Sequence, residues 1–267
     1  MNRLGLIAGN GVFPLEVARA ARRHGISIIA VAHLNETDRR LATLVDRIEW
    51  IKIGELQRMI DALKSGGVEQ AAMAGGISRA RLADSFAPDA RALAMLARVG
   101  RFSDDAVLRA LAGEIEADGI PVIDPVPMVE NCLAHPGLAA GPEPSERQLR
   151  DLDLAFAVAR QLGSFDIGQT VAVRDGIVGA VEAVEGTDAA LRRAAALLGG
   201  RIVIAKAAKP GQDLRFDRPA IGPETIALVA EIGAAMLGVE AGVTLILERE
   251  RTMTIAAASK VTLYGHV

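Results

Sequence analysis

The chain carries a single cysteine, Cys132, so no internal disulfide can form, and no second Cys stands near it in metal-ligand spacing. Such cysteine usage suits a reducing compartment. Aromatic residues make up only 3% of the sequence, too few for a base-stacking surface. Nor does charge of one sign prevail. The 30 Lys and Arg against 33 Asp and Glu leave a formal net charge of -3, which excludes the basic footprint of a nucleic-acid binder. No apolar run reaches the roughly 18 uncharged residues that a spanning helix requires. The apolar start at Leu4 to Ala8 is cut by Gly9-Asn10-Gly11 too early to serve as the core of a signal peptide. A Ser-His-Asp set is not legible either, because His24, His33, His135 and His266 all lie outside a nucleophile-elbow context. Cys132 makes a poor nucleophile, since it falls in a Pro-rich stretch with His135 merely close in sequence.

What the chain does have is aliphatic bulk and alternation. Its hydrophobic fraction of 51%, mainly Ala, Val, Leu and Ile, suits helices packed closely on sheets, and 267 residues favour two domains. Residues 1–124 read as a Rossmann-like parallel sheet with flanking helices. Strands are expected at Leu4 to Ala8, Ile26 to Ala32, Arg47 to Ile51, Gln70 to Ala74 and Ile120 to Ile123. Helices are expected at Pro14 to Arg23, Glu55 to Lys64, Asp89 to Val99 and Asp104 to Asp118. Residues 125–145 contain Pro125, Pro127, Pro136, Pro142 and Pro144 with Gly137 and Gly141, and read as a linker. Residues 146–267 read as a mixed α/β domain. Ser145 and Gln148 suggest a capping box for a helix through Gln161. Asp175-Gly176 predicts a hairpin turn between Val171 to Arg174 and Ile177 to Val184. Further helices are expected at Thr187 to Leu198 and Pro223 to Leu237, and strands at Arg201 to Ala207 and Val243 to Leu247.

Chemistry concentrates in a few places. Gly9-Asn10-Gly11 falls where the first strand turns into the first helix, where small residues let backbone N–H groups approach a phosphate; a plain βα turn explains the same glycines. It is not a full Gly-x-Gly-x-x-Gly fingerprint, and His33 and Asn35 stand where an acid would close the second strand. Gly75-Gly76, followed by Ser78, Arg79 and Arg81, would bring flexible backbone and a phosphate-gripping Arg79 to the same sheet edge; solvated arginines at a helix start are the alternative. Asp104-Asp105 reads as the acidic first turn of a helix, or less simply as a metal-binding pair. Glu182 and Glu185 beside Thr187 and Asp188, with Gln169 upstream, either cap a helix or hold a phosphate beside a cation. The densest signal runs from Lys206 to Pro219. There Asp213 and Asp217 offer oxygen ligands, together with Glu185, to Mg²⁺ or Mn²⁺, while Lys206, Lys209 and Arg215, beside Gln212, would neutralise phosphoryl charge. A solvated charged loop is the bland reading.

These blocks resemble the LpxI-type UDP-2,3-diacylglucosamine pyrophosphatases of lipid A biosynthesis. The resemblance rests on Gly5-Leu6-Ile7-Ala8-Gly9-Asn10-Gly11-Val12-Phe13-Pro14, Asp166-Ile167-Gly168-Gln169-Thr170 and Glu182-Ala183-Val184-Glu185-Gly186-Thr187-Asp188. It extends through Lys209-Pro210-Gly211-Gln212-Asp213-Leu214-Arg215-Phe216-Asp217, Pro219, Ile221-Gly222-Pro223 and Thr225. It implies hydrolysis of the pyrophosphate to UMP and 2,3-diacylglucosamine 1-phosphate, with a divalent cation, a lipid held between the domains and water attacking the phosphorus nearer the sugar. It also implies an essential aspartate at Asp213 or Asp217, and Asp217 is preferred. The expected protein is cytoplasmic, at most in peripheral contact with the inner membrane, and compatible with a homodimer. Two other readings stand beside it: a nucleotide-dependent oxidoreductase built on the Rossmann-like half, and a non-catalytic nucleotide-lipid sensor.

Overall fold

A run such as Leu4-Gly5-Leu6-Ile7-Ala8 has no polar face, so it must be covered on both sides, which is the condition of a central parallel strand. The computed structural model, which describes residues 1–78, 86–100 and 104–267, places it so. The chain divides into two compact units, Met1–Glu130 with Asp213–Asp217, and Asn131–Gln212 with Arg218–Val267.

The first unit runs β1 (Arg3–Ala8), α1 (Phe13–Arg23), β2 (Ser27–His33), β3 (Arg47–Ile51), α2 (Leu56–Ser65), β4 (Gln70–Ala74), α3 (Ala90–Arg98), α4 (Asp104–Ala117) and β5 (Val122–Ile123). Its five-stranded sheet has the order β3-β2-β1-β4-β5, with every pairing parallel. Helix α1 starts with Pro14 in its first turn, where the missing N–H costs nothing, and buries Leu15, Val17, Ala18, Ala20 and Ala21. Full burial of a side chain the size of Leu15 or Val17 contributes roughly 1.5–3 kcal/mol, and each alanine methyl less. The strand order reverses between β1 and β4, and such a switch point opens a crevice at the carboxyl ends of the strands.

The second unit runs β6 (Gly137–Ala140), α5 (Glu146–Gly163), β7 (Thr170–Arg174), β8 (Ile177–Val181), α6 (Thr187–Leu198), β9 (Val203–Lys206), β10 (Ala220–Ile221), α7 (Pro223–Glu231), β11 (Met236–Glu240), β12 (Leu245–Ile246), α8 (Arg249–Ala258) and β13 (Thr262–His266). Its six-stranded sheet has the order β6-β13-β11-β9-β7-β8; β9, β11 and β13 are parallel, and the rest antiparallel. Leu152, Ala155, Phe156 and Ala159 of α5 pack on one face of this sheet against Val171, Val173, Val203 and Ala205. Leu191 and Ala194 of α6, Ile226 and Val229 of α7 and Ala256 of α8 join the core on the other.

Local signals translated directly. Ser145 and Gln148 form the reciprocal capping box at α5. Asp175 (φ 56°) and Gly176 (φ 78°) make the turn between β7 and β8, and both N–H groups donate to the buried Asp151 carboxylate at 2.8 Å. Three expectations change. Helix α7 ends at Glu231 and not at Leu237: Gly233 takes φ 67°, Ala234 N–H bonds the Val229 carbonyl at 3.0 Å, and the apolar run beyond becomes β11. The Pro-rich stretch 125–145 is packed, with Val126, Val129, Cys132 and Ala134 buried and β6 paired to β13 as an edge strand, a place that tolerates flanking prolines. Finally, Asp213–Asp217, read as part of the second domain, clusters with the first unit.

Candidate active site

At the switch point of the first unit the two glycine loops meet backbone to backbone. Gly9 N–H donates to the Ala74 carbonyl at 2.8 Å, and Asn10 N–H to the Gly76 carbonyl at 2.7 Å. A Cβ on Gly9 would stand 2.2 Å from the Gly76 carbonyl oxygen, and one on Gly75, whose φ is +83°, 2.2 Å from the Asn10 carbonyl oxygen. Close approach of the two loops therefore explains Gly9 and Gly75 without a phosphate. Gly11 differs: its φ of +81° calls for glycine, and space beside its Cα is open. Gly76 lies between, with a built Cβ 3.5 Å from Asn10 Oδ1.

The Asn10 side chain donates to Glu36 Oε2 at 2.9 Å, and Ser78 N–H reaches the same oxygen at 3.1 Å. A buried carboxylate thus ties both loops together at the crevice. His33, at the end of β2, places Nδ1 3.0 Å from the Ala8 carbonyl oxygen, and burial pushes its pKa below the usual value. Arg79, expected to grip phosphate here, lies outside the described residues.

The first unit also receives Asp213–Asp217. Arg215 donates from its backbone N–H to Asp213 Oδ1 at 3.1 Å and from Nη2 to Oδ2 at 2.9 Å. Its Nη1 reaches Glu116 Oε1 at 3.0 Å and the Val122 carbonyl at 3.1 Å, and Phe216 joins the core that contains Ile7, Val31 and Met73. Asp213 N–H donates to Asp105 Oδ1 at 2.9 Å, and Arg109 Nη1 stands 3.4 Å from Asp213 Oδ2. The Arg215 guanidinium, ahead of the backbone N–H and Arg109, holds the Asp213 carboxyl below the ordinary carboxylate range. A depressed folded pKa stabilises this arrangement fully above the unfolded value, roughly pH 4, and the contribution disappears as pH falls through the folded value. Protection of residues 209–219 against hydrogen exchange, taken relative to the intrinsic amide rate at each pH, is accordingly expected to hold from neutral pH down to about pH 5 and to fall below about pH 4. Release already between about pH 6 and pH 5 would contradict the ion pair's role.

In the second unit the acidic block has a specific geometry. Gly186, at φ +82°, precedes α6, and neither Thr187 nor Asp188 caps it through a side chain. Thr187 instead donates its hydroxyl to Glu182 Oε1 at 2.8 Å, while Gln169 N–H lies 3.4 Å from Glu182 Oε2. Gln169 Oε1 is buried without a hydrogen-bond partner among the described residues, a polar atom awaiting a donor. Glu185 is held by Arg193 at 2.7 Å, which lowers its pKa, and Asp188 lies in the first turn of α6. Lys209 Nζ pairs with Asp166 at 2.6 Å, and its backbone exchanges hydrogen bonds with Gln212 across Pro210-Gly211.

The structure thus brings together Gly9, Asn10, Gly75 and Gly76 in one unit, Asp213 with Arg215 in the same unit, and Gln169 with Thr187 in the other. It does not assemble Asp213, Asp217 and Glu185 within either unit. Two of these carboxylates are engaged by Arg215 and Arg193, and among the described residues no group of three His, Cys, Asp or Glu side chains is placed to hold one metal ion. Sequence reasoning missed Glu36, Arg109 and Glu116, and it named Asp166 without its pairing to Lys209; the partners are distant in the chain except for the Asp105–Arg109 pair, an i, i+4 spacing.

These features define a two-domain α/β protein whose first unit has the strand order of nucleotide-binding folds. Residues 3–132 match the LpxI N-terminal domain, residues 135–264 match the LpxI C-terminal domain, and the chain belongs to the LpxI family. It is 36% identical to the UDP-2,3-diacylglucosamine pyrophosphatase LpxI of Caulobacter vibrioides, over 99% of this chain and 96% of that protein. Among solved structures, the biotin carboxylase domain of 2-oxoglutarate carboxylase from Hydrogenobacter thermophilus is 17% identical with a TM-score of 0.30, over 67% of this chain and 36% of that one. Phosphoribosylglycinamide synthetase from Anaerococcus prevotii is 14% identical with a TM-score of 0.29, over 69% and 40%. Likeness at that level assigns no function.

Proposed function

We propose that this chain hydrolyses the diphosphate of UDP-2,3-diacylglucosamine to UMP and 2,3-diacylglucosamine 1-phosphate, a step of lipid A synthesis. The observation that carries the reading is the near end-to-end correspondence with a relative named for that activity, 36% identical over 99% of the chain. Water oxygen bonds to the sugar-side phosphorus, the bridging P–O bond breaks, and the bridging oxygen leaves on UMP. Asp217 is assigned to take the proton of the attacking water. Arg215 and Lys209, each already placed by a carboxylate partner, offset negative charge on the phosphoryl oxygens. Gln169, with its unpartnered buried oxygen, and Thr187 bind polar groups of the substrate.

Dependence on Mg²⁺ or Mn²⁺ belongs to the same proposal. Purified protein given UDP-2,3-diacylglucosamine and Mg²⁺ is expected to release UMP, and EDTA to stop the release until Mg²⁺ is restored. Intact substrate, together with tight binding of NAD(P) or flavin, would favour an oxidoreductase instead. Retained substrate without turnover would favour a sensor.

Among the described residues no helix is long and apolar enough to cross a membrane. A peripheral contact is nonetheless part of the proposal, because Phe165 (63% exposed), Ile167 (44%) and Val184 (95%) project from two loops of the second unit. The loops touch at Gly168, whose Cβ would lie 2.1 Å from the Glu182 carbonyl. Exposed aromatic and aliphatic tips of this kind bury readily at a bilayer surface. Sedimentation with phosphatidylethanolamine and phosphatidylglycerol vesicles is expected for the wild type and reduced in a Phe165→Ser/Val184→Ser variant. Equal sedimentation of both would remove the contact from these loops.

A further inference from the structure

Helix α4 presents a polar stripe that the hydrolytic reading leaves without a purpose. Asp105, Arg109 and Glu116 recur at i, i+4 and i+11, which places them on one face, with the buried Ala112 between them. All three engage the same five-residue segment. Asp105 Oδ1 accepts the Asp213 N–H at 2.9 Å, Arg109 Nη1 stands 3.4 Å from the Asp213 carboxylate, and Glu116 accepts from Arg215 at 3.0 Å. Asp105 and Arg109 are themselves locked at 2.6 Å, so the two contacts to Asp213 act as one unit. The segment is far from α4 in sequence and is flanked on both sides by residues that cluster with the second unit. The buried Phe216, the Arg215 bond to the Val122 carbonyl and this stripe tie it to the first.

We propose that Asp105 and Arg109 are positioning residues of the hydrolytic reaction, fixing through the Asp213 N–H and carboxylate the segment that carries Asp217 and Arg215. The inference rests on the hydrolase reading given above. Neither residue touches the substrate; both set where Asp217 stands, and small misplacements of a reacting group cost rate steeply. Acidic character at Asp105 also suits the first turn of α4, but the macrodipole explains neither the bond to the distant Asp213 N–H nor the stripe.

The test compares Asp105→Ala with Asp105→Asn in the full-length protein. Both lose the negative charge, the helix-dipole interaction and the ion pair to Arg109; only Asn keeps an oxygen acceptor for the Asp213 N–H. The side chain is one-third exposed, so neither change disturbs the core. In Asp105→Ala, hydrogen exchange of residues 209–219 is expected to quicken by about tenfold to hundredfold. Its kcat is expected to fall by about tenfold to hundredfold, with KM changed less than about threefold. Asp105→Asn is expected to recover most of both. Unchanged exchange in Asp105→Ala, faster exchange with wild-type kcat, or an Asn variant no better than Ala would each overturn the proposal. Exchange is read without substrate, so a wild type that releases no UMP would refute the hydrolase reading while leaving the docking result independently measured.

Discussion

Asp217→Ala is expected to lower kcat by about 10²–10⁴-fold, the range for loss of a positioned acid–base group. Asp217 ends the docked segment. Its N–H bonds the Asp213 carbonyl at 3.2 Å, and the preceding Phe216 is buried, so backbone and core fix where the residue stands in the chain. Asp213 commits both of its oxygens to Arg215, and one also faces Arg109. Its removal strips a partner from two guanidinium groups and loosens the segment. Asp213→Ala should therefore lose activity and local protection together, whereas Asp217→Asn, which keeps the side chain's size and one oxygen, should lose mainly rate. Steady-state kinetics with hydrogen exchange on both variants separates the roles. An Asp217 variant retaining more than about a tenth of wild-type kcat, beside an inactive and still protected Asp213→Asn, would transfer the acid–base role to Asp213.

The second large effect falls on folding. Gly9→Ala is expected to destabilise the protein by about 3–5 kcal/mol, within the tail reserved for core clashes and forced backbone shifts. The obstacle is rigid, since the new methyl would lie 2.2 Å from a backbone oxygen of Gly76, and that loop is already tied through Asn10 and Glu36. Gly75→Ala meets the same fate from the other side and adds the strain of a positive φ. Gly11→Ala provides the contrast: strained φ, but no clash, and a cost of about 1–2 kcal/mol. Chemical denaturation of the three variants checks the order. Equal small losses would mean that the loops separate readily and that the glycines serve something other than this contact.

What was legible in the sequence was what neighbouring residues decide. The buried run of β1, the Asp-Gly turn between β7 and β8 and the Ser145–Gln148 box depend on partners within a few residues, and each formed as read. The apolar stretch Ala234 to Val239 was not legible, because a short aliphatic run satisfies helix and strand alike, and the left-handed Gly233 decides between them. The candidate site divides the same way. Its dense charge was visible between Lys206 and Pro219, yet which cation meets which carboxylate depends on α4, about a hundred residues earlier in the chain. Thr187 looked like a cap because Thr commonly is one; its hydroxyl goes to Glu182 because the turn through Ala183 brings that carboxylate back over the start of α6.

The central claim is a hydrolysis, so its most direct measurement follows the oxygen. Wild-type protein, UDP-2,3-diacylglucosamine and Mg²⁺ in water enriched in heavy oxygen should yield unlabelled UMP and 2,3-diacylglucosamine 1-phosphate carrying one heavy oxygen on phosphorus, read by mass spectrometry. Substrate recovered intact after prolonged incubation at high protein concentration would contradict the account.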